Sequence, residues 1–254
     1  MSDVNKQNME SSCNQRTEEK DSFNSFCSAL HSINKGLESF INTLLVVGQS
    51  LKMIENACGV CKNNQWVIYH QLPEEVLVRL NEDPGNCNAI MLDYHKKSGY
   101  KNFKQLYAKY KDNTLLSQQH KVTLKQAYDS IYEGKHNTIA YSLTAIFDSI
   151  LAKVTGEDTH KFLKRLDRLP NTESNIVLDS FEIEDMTFVQ TVEAINRFCK
   201  ISYFDKDPEP AELNRHWIMH GRSSKQFTEV DCLKLFGFIF ALLYVSGYQE
   251  REGA

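Results

Sequence analysis

Apolar residues spaced three and four positions apart constrain this chain more than any other feature of its sequence. Over residues 23–45 the Phe, Ile and Leu side chains recur at that spacing, which places them on one face of a helix. The 254 residues include only 11 Gly and 5 Pro, the residue types that interrupt helices and form turns. We therefore predict an all-α protein with a helical N-terminal unit over residues 22–119.

The C-terminal part of the chain, residues 120–254, shows the same spacing and is predicted to form a helical bundle. A helical hairpin is expected at 121–155, where Gly134 ends the first helix and Asn137 caps the second. Shorter helices are expected at 159–169 and 187–203. The last helix is expected to begin at Thr228, with Asp231 placed to complete a capping pair.

The polar start of the chain and its longest apolar stretch argue against export and against a membrane segment. Residues 1–21 mix both charge signs and contain no apolar run, so we predict a disordered tail and no signal peptide. The longest apolar stretch, 235–245, is shorter than the ~20 residues that a bilayer-spanning helix needs. Seven cysteines without regular spacing predict free thiols and a reducing cytoplasm.

Two short patterns leave their interpretation open. Cys58 and Cys61 form a lone C-x-x-C, which is either a metal or redox site or a plain loop between helices. Residues 94–111 interleave tyrosines with lysines, which is typical of an amphipathic helix with solvated lysines or of a nucleic-acid contact. The net charge of -4 and the pI near 6.1 count against strong non-specific binding of duplex nucleic acid.

The segment 213–221, Leu-Asn-Arg-His-Trp-Ile-Met-His-Gly, carries the residues best suited to chemistry. It predicts a short helix that ends at its glycine. His216 and His220 are four positions apart and share one face at the margin of the core, where the pKa of a histidine can be tuned. Arg215 lies about 140° from His220 around an ideal helix. The two converge only if the arginine reaches round the helix end or a second subunit completes the site.

Arginine, a polar residue, three more positions and then histidine is the recurring signature of the HEPN superfamily, and Arg215, His216 and His220 match it. The predicted order of helices over 121–254 also resembles that superfamily. The Asn-Arg-His form that starts at Asn214, with its closing His-Gly, is similar to HEPN domains of bacterial defence and abortive infection. For residues 1–119 we identify no family resemblance.

The resemblance implies a metal-independent endoribonuclease, in which a ribose 2′-hydroxyl attacks the adjacent phosphate. His220 would move protons near neutral pH, and the planar guanidinium of Arg215 would offset charge on the phosphorane. Asn214 or His216 would position both groups, and no cofactor would take part. The site in this superfamily is commonly built across a two-fold dimer, which implies a homodimer.

Further expectations concern partners. Arg222 and Lys225 follow the motif and would either extend a phosphate-binding patch or be solvated loop charges. The resemblance implies RNA as the ligand and an antitoxin or another defence-system protein as a candidate partner.

The last helix is apolar around nearly its full circumference over 233–248, so either a second subunit or the N-terminal unit must cover it.

Three alternatives to the ribonuclease remain. In the first, the domain is catalytically silent and binds RNA or a nucleotide, or serves as a dimerising scaffold in a defence complex. In the second, the two histidines only pack beside Trp217. In the third, the two histidines bind zinc as in H-E-x-x-H, although Trp217 stands where that motif has its glutamate. The intact Arg215 and His220 favour activity, whereas the acidic net charge favours a binding role.

Overall fold

The computed structural model describes residues 48–68, 72–155 and 193–252. The chain divides into two compact units, residues 1–52 and 53–254, and nearly all of the described residues belong to the second. The sequence instead suggests a boundary between 119 and 120. The predicted tail, the helix at 23–45 and the helix at 159–169 lie outside the described residues.

Every regular element in the described part of the chain is helical, which confirms the all-α class. The helices are α1 (residues 48–63), α2 (Glu74–Glu82), α3 (Cys87–Tyr110), α4 (Gln118–Ile131), α5 (His136–Thr155), α6 (residues 193–199), α7 (Arg215–Met219) and α8 (Glu229–Glu252). A short 3₁₀ turn, Pro84–Asn86, leads into α3. None of these described helices is both long and apolar enough to cross a bilayer.

A local signal in the sequence sets the start of α8. The backbone N–H of Thr228 donates to Asp231 Oδ2 over 2.9 Å, and the N–H of Asp231 donates to Thr228 Oγ1 over 3.3 Å. This reciprocal pair satisfies backbone donors that the first turn of α8 leaves without helical partners. The predicted capping pair is thus confirmed.

Three local expectations are wrong. Asn137 does not cap α5, which begins at His136; its Oδ1 instead accepts from the backbone N–H of Phe227 over 2.9 Å. Cys58 and Cys61 lie inside α1 and not in a loop. The helix expected over 187–203 ends at residue 199, and residues 200–203 have no regular structure.

The basic stretch over 94–111 lies in α3, which breaks at its centre. Lys97 has an extended backbone, and Ser98, Gly99 and Tyr100 all have φ between 55° and 66°. Beyond the break, Phe103 is 1% exposed and Tyr107 is 7% exposed. Because these rings face the core, the structure supports the amphipathic-helix interpretation of this stretch.

α8 is the central helix of the described core, and one of its sides packs on α5 and α6. Phe238 stacks on Phe198 with ring centroids 4.7 Å apart, and Phe147 closes this cluster at 5.1 Å from Phe198 and 6.1 Å from Phe238. All three side chains are at most 1% exposed. This aromatic cluster therefore joins α5, α6 and α8.

The other side of α8 packs on α3. Phe236 lies 5.0 Å from Phe103, and Phe240 stacks on Tyr110 at 5.4 Å. Over residues 233–244, where its side chains are described, the apolar circumference of α8 is therefore covered by helices of the same chain. The structure favours that alternative over coverage by a second subunit, so this helix no longer argues for a dimer.

Candidate functional site

α7 carries the motif residues, and the side chain of Asn214 starts it. Asn214 Oδ1 accepts from the backbone N–H of Trp217 over 3.2 Å, and its Nδ2 donates to the carbonyl of Lys200 over 2.9 Å. The helix ends at Met219 with His220 as its C-cap residue, and Gly221 follows at φ 63°, a left-handed conformation that glycine adopts without strain. The predicted short helix with its glycine stop is confirmed.

Both ends of the Asn214 amide therefore bond to backbone groups, and the residue is only 5% exposed. These bonds fix the start of α7 and tie it to the end of α6. The structure accordingly gives Asn214 a visible role in positioning the motif.

Gln65 holds the residue before the cap. Its Nε2 donates to the carbonyl of Leu213 over 2.8 Å, and its Oε1 accepts from the N–H of Leu213 over 2.7 Å. Gln65 is 2% exposed and has a φ of 59°, which is uncommon for a residue other than glycine. Two buried hydrogen bonds thus fix the backbone that leads into α7, across 148 positions of sequence.

The segment 202–204 lies alongside α7 and is fastened to it. Trp217 Nε1 donates to Ser202 Oγ over 3.0 Å. The ring of Phe204 stacks on the imidazole of His216, with centroids 4.5 Å apart and planes 18° apart. The aromatic ring of Phe204 is therefore a fixed surface beside the motif.

Three of the predicted residues gather around Phe204. The His220 ring lies 5.4 Å from it edge-on, and the rings of His216 and His220 are 4.5 Å apart. The guanidinium carbon of Arg222 lies 4.4 Å from the centre of the Phe204 ring, a cation–π contact. We call His216, His220, Arg222 and Phe204 the histidine cluster; His220 and Arg222 are exposed, and His216 is half-buried.

Arg215 points to a different element. Its Nε donates to Asp148 Oδ1 on α5 over 2.7 Å, and its Nη2 forms an ion pair with the same oxygen. The side chains are 16% and 28% exposed, so this pair is partly shielded from water. The structure thus joins His216, His220 and Arg222 around one ring and anchors Arg215 to α5.

A buried thiol lies beside this ion pair. Burial raises the pKa of Cys199 to about 12, with Asp148 adding to the rise and Arg215 opposing it. The thiol of Cys199 therefore stays protonated at neutral pH.

The side chain of Lys225 binds backbone carbonyl groups of the same chain. Its Nζ donates to the carbonyls of Ala211 over 2.6 Å and Glu212 over 2.5 Å. Burial lowers its pKa, although Asp231, Glu209 and Glu212 oppose that shift. Lys225 thus ties the loop after the motif to the turn before it.

No protein-family model, curated protein or solved structure matches this chain. A function for this chain must therefore be inferred from the chemistry of the site. Within the described residues, no group of three or more His, Cys, Asp and Glu side chains could hold a metal ion.

Three residues of the site were not identified from the sequence: Gln65, Asp148 and Phe204. Asp148 and Gln65 act across 67 and 148 positions, and no local pattern marks such partners. Phe204 carried a weak signal in the sequence. It directly precedes a segment with two prolines, Pro208 and Pro210, so its ring is available to pack on the motif that follows that segment.

The Arg215–Asp148 pair gives a prediction about stability. In a double-mutant cycle of Arg215→Gln and Asp148→Asn, we expect a coupling free energy of about 1–2 kcal/mol, because the pair is partly buried and charge-assisted. Urea unfolding of the four proteins measures it.

The exposed pair Lys125–Asp129 on α4 is the matched control. Its side chains are 59% and 51% exposed, so its coupling should stay below about 0.5 kcal/mol. Equal coupling in both cycles would mean that shielding by the fold adds nothing to the Arg215 pair.

Proposed function

We propose that this chain is a metal-independent endoribonuclease of HEPN type, with the histidine cluster as its reaction centre. The observation that carries the proposal is the pair of imidazoles 4.5 Å apart with the Arg222 guanidinium on the same aromatic ring. Two imidazoles at this spacing suit a reaction that removes one proton and delivers another. The exposed cation suits a phosphate.

The reaction has a definite proton balance. One imidazole takes the proton of a ribose 2′-hydroxyl, and the 2′-oxygen forms a bond to the adjacent phosphorus. The bond from phosphorus to the 5′-oxygen breaks, and the other imidazole delivers a proton to that oxygen. The products are a 2′,3′-cyclic phosphate and a 5′-hydroxyl. A guanidinium offsets the extra negative charge on the phosphorane.

Arg215 has a role consistent with this chemistry. Asp148 engages its Nε and Nη2, so the plane of the guanidinium is held in one orientation. Such an anchored arginine can present its Nη1 donors to a phosphate at little conformational cost. In the proposed site, Arg222 binds the substrate phosphate at the exposed C-terminal end of α7. Arg215 binds it from the side of α7 that faces α5.

The proposal includes a two-fold dimer that brings Arg215 of one subunit toward the histidine cluster of the other. Its support is the divergence of Arg215 and His220 on one short helix. An antitoxin or another defence protein as partner rests on the motif resemblance alone. Sedimentation of the active preparation tests the dimer: an active monomer would remove the shared site from the proposal and leave the cleavage chemistry in place.

A catalytically silent RNA-binding module is the second candidate. The Arg215–Asp148 ion pair favours it, because a substrate phosphate must compete with a carboxylate already in place. The net charge of -4 favours it too.

The deciding experiment is incubation of the purified full chain with total RNA in EDTA. We expect cleavage that EDTA does not reduce, with 2′,3′-cyclic phosphate and 5′-hydroxyl ends, because the proposed proton transfers use side chains only. Mass spectrometry of the fragments identifies those ends. RNA binding without cleavage would favour the silent module, and activity restored only by zinc or manganese would overturn the mechanism.

A further inference from the structure

The loop that follows α7, residues 221–225, carries Arg222, and we call it the Arg222 loop. The backbone N–H groups of Arg222 and Ser223 both donate to the carbonyl of Trp217, over 3.0 and 3.2 Å. Trp217 lies in α7, so these two bonds satisfy a carbonyl that the short helix leaves without a helical partner. They fix the start of the loop.

The carboxylate of Glu209 binds the rest of this loop through both of its oxygens. Its Oε1 accepts from the hydroxyl of Ser223 over 2.5 Å. Its Oε2 accepts from the hydroxyl of Ser224 over 2.5 Å and from the backbone N–H of Ser224 over 2.9 Å. Hydrogen bonds to an ionised group are stronger than those between neutral groups. Glu209 therefore restrains the two residues that follow Arg222.

The backbone around Glu209 is stiff, because the residue lies between Pro208 and Pro210. The ring of a proline fixes its own φ, and a proline also keeps the residue before it out of the helical region. A side chain on such a backbone loses less conformational entropy when it forms its bonds. The turn with two prolines thus places one carboxylate where it binds the Arg222 loop.

Glu209 is ionised at neutral pH. Burial opposes the charged form, but hydrogen bonds from Ser223 and Ser224 and the charge of Lys225 outweigh it and hold the pKa of Glu209 below its ordinary value. An ionised carboxylate only accepts hydrogen bonds, which matches the three donors that the loop supplies.

We propose that Glu209 is a positioning residue, which fixes Arg222 for contact with a substrate phosphate. The inference rests on the proposed function, in which Arg222 binds that phosphate. Arg222 is exposed, and its guanidinium carbon lies 4.4 Å from the centre of the Phe204 ring. A fixed backbone and a fixed ring together hold the guanidinium beside the histidine cluster. Less conformational freedom is then lost when the phosphate binds.

The direction of one substitution effect separates positioning from simple charge. Glu209 is an anion beside the Arg222 loop, so removal of its charge alone would strengthen the binding of RNA. Positioning predicts the opposite for Glu209→Gln, because the amide keeps the size of the side chain but its Nε2 cannot accept from Ser224. We expect this variant to bind RNA about three- to tenfold more weakly.

The binding test uses a fluorescent single-stranded RNA with 2′-O-methyl riboses, which lacks the attacking hydroxyl and stays intact. Anisotropy titrations compare the native full chain with Glu209→Gln, Arg222→Ala and the double variant. Because Glu209 acts through Arg222, the double variant should bind as weakly as Arg222→Ala and no more weakly. Unchanged or tighter binding by Glu209→Gln, or additive losses in the double variant, would overturn the proposal.

Glu212→Gln is the matched control. Glu212 lies in the same segment, and its carboxylate pairs with Arg197 over 2.6 Å, with side chains 43% and 40% exposed. The substitution removes the same charge from the same segment without touching the hydroxyls of the loop. RNA binding should stay within about twofold of the native value.

Limited trypsin digestion tests the positioning without RNA. Cleavage after Arg222 requires the loop to open, and mass spectrometry identifies the fragment that begins at Ser223. We expect Glu209→Gln to raise this cleavage rate about tenfold, and Glu212→Gln to leave it at the native rate. Equal rates in all three proteins would overturn the role of Glu209. A native chain that shows this digestion pattern but binds no RNA would overturn the proposed function and leave Glu209 as a support of the loop alone.

Discussion

We expect His220→Ala to lower the rate of the proposed RNA cleavage by about 10²–10⁴-fold, the usual contribution of a positioned acid or base. The substitution removes one of the two imidazoles on the Phe204 ring and leaves His216 without its neighbour. His220 is exposed, so little packing is lost and the melting temperature should change by about a degree at most. Initial rates on a defined RNA and a thermal melt measure both quantities.

Met219→Ala is the control for this result. Met219 is the last residue of α7, directly before His220, and is 40% exposed. Its replacement should therefore disturb the end of α7 to a similar degree without removing a titratable group. It should keep near-native activity. If both variants lose cleavage together with several degrees of stability, His220 acts by packing and not by moving protons.

Phe238→Ala is expected to destabilise the protein by about 3–5 kcal/mol, the cost of deleting a buried phenylalanine ring and leaving a cavity. The ring stacks on Phe198 and touches Phe147, so the variant leaves both rings partly uncovered. A large part of the stability of a typical domain would be lost. Urea unfolding followed by circular dichroism measures the change in free energy.

Val122→Ala on α4 is the comparison, because Val122 is 42% exposed and should lose less than about 1 kcal/mol. A Phe238→Ala loss of similar size would mean that the core closes around the missing ring. It would also mean that the cluster of three phenylalanines does not hold α5, α6 and α8 together.

The features that sequence predicted well depend on neighbours a few positions away. Asn214 caps α7 through Trp217, Gly221 ends it, and Thr228 pairs with Asp231. Such signals are readable because the side chain and the backbone groups that it satisfies lie within one turn. The helical class followed from apolar spacing, which one chain displays without knowledge of its partners.

Tertiary contacts decided the features that sequence missed. Asn137 has the side chain of a helix cap, but Phe227 N–H, 90 positions away, competes for the same oxygen. One interpretation of Cys58 and Cys61 was a loop between helices, yet α1 continues through both cysteines and through Gly59 between them. A glycine costs a helix only about 1 kcal/mol, and the burial of Ala57 and Cys61 exceeds that cost. Arg215 met Asp148 because α5 packs on α7, which local spacing does not reveal.

The hydrogen bonds between Gln65 and Leu213 also bear on how the protein matures during synthesis. A chain emerges from the ribosome in order, so Gln65 must wait until Leu213 has been made before its amide can bond to that backbone. The rings of Phe236 and Phe238, which complete the supporting core, emerge later still. The segment 213–221 therefore acquires its geometry only after residues 213–238 have emerged, and a shorter nascent chain would not display an ordered histidine cluster.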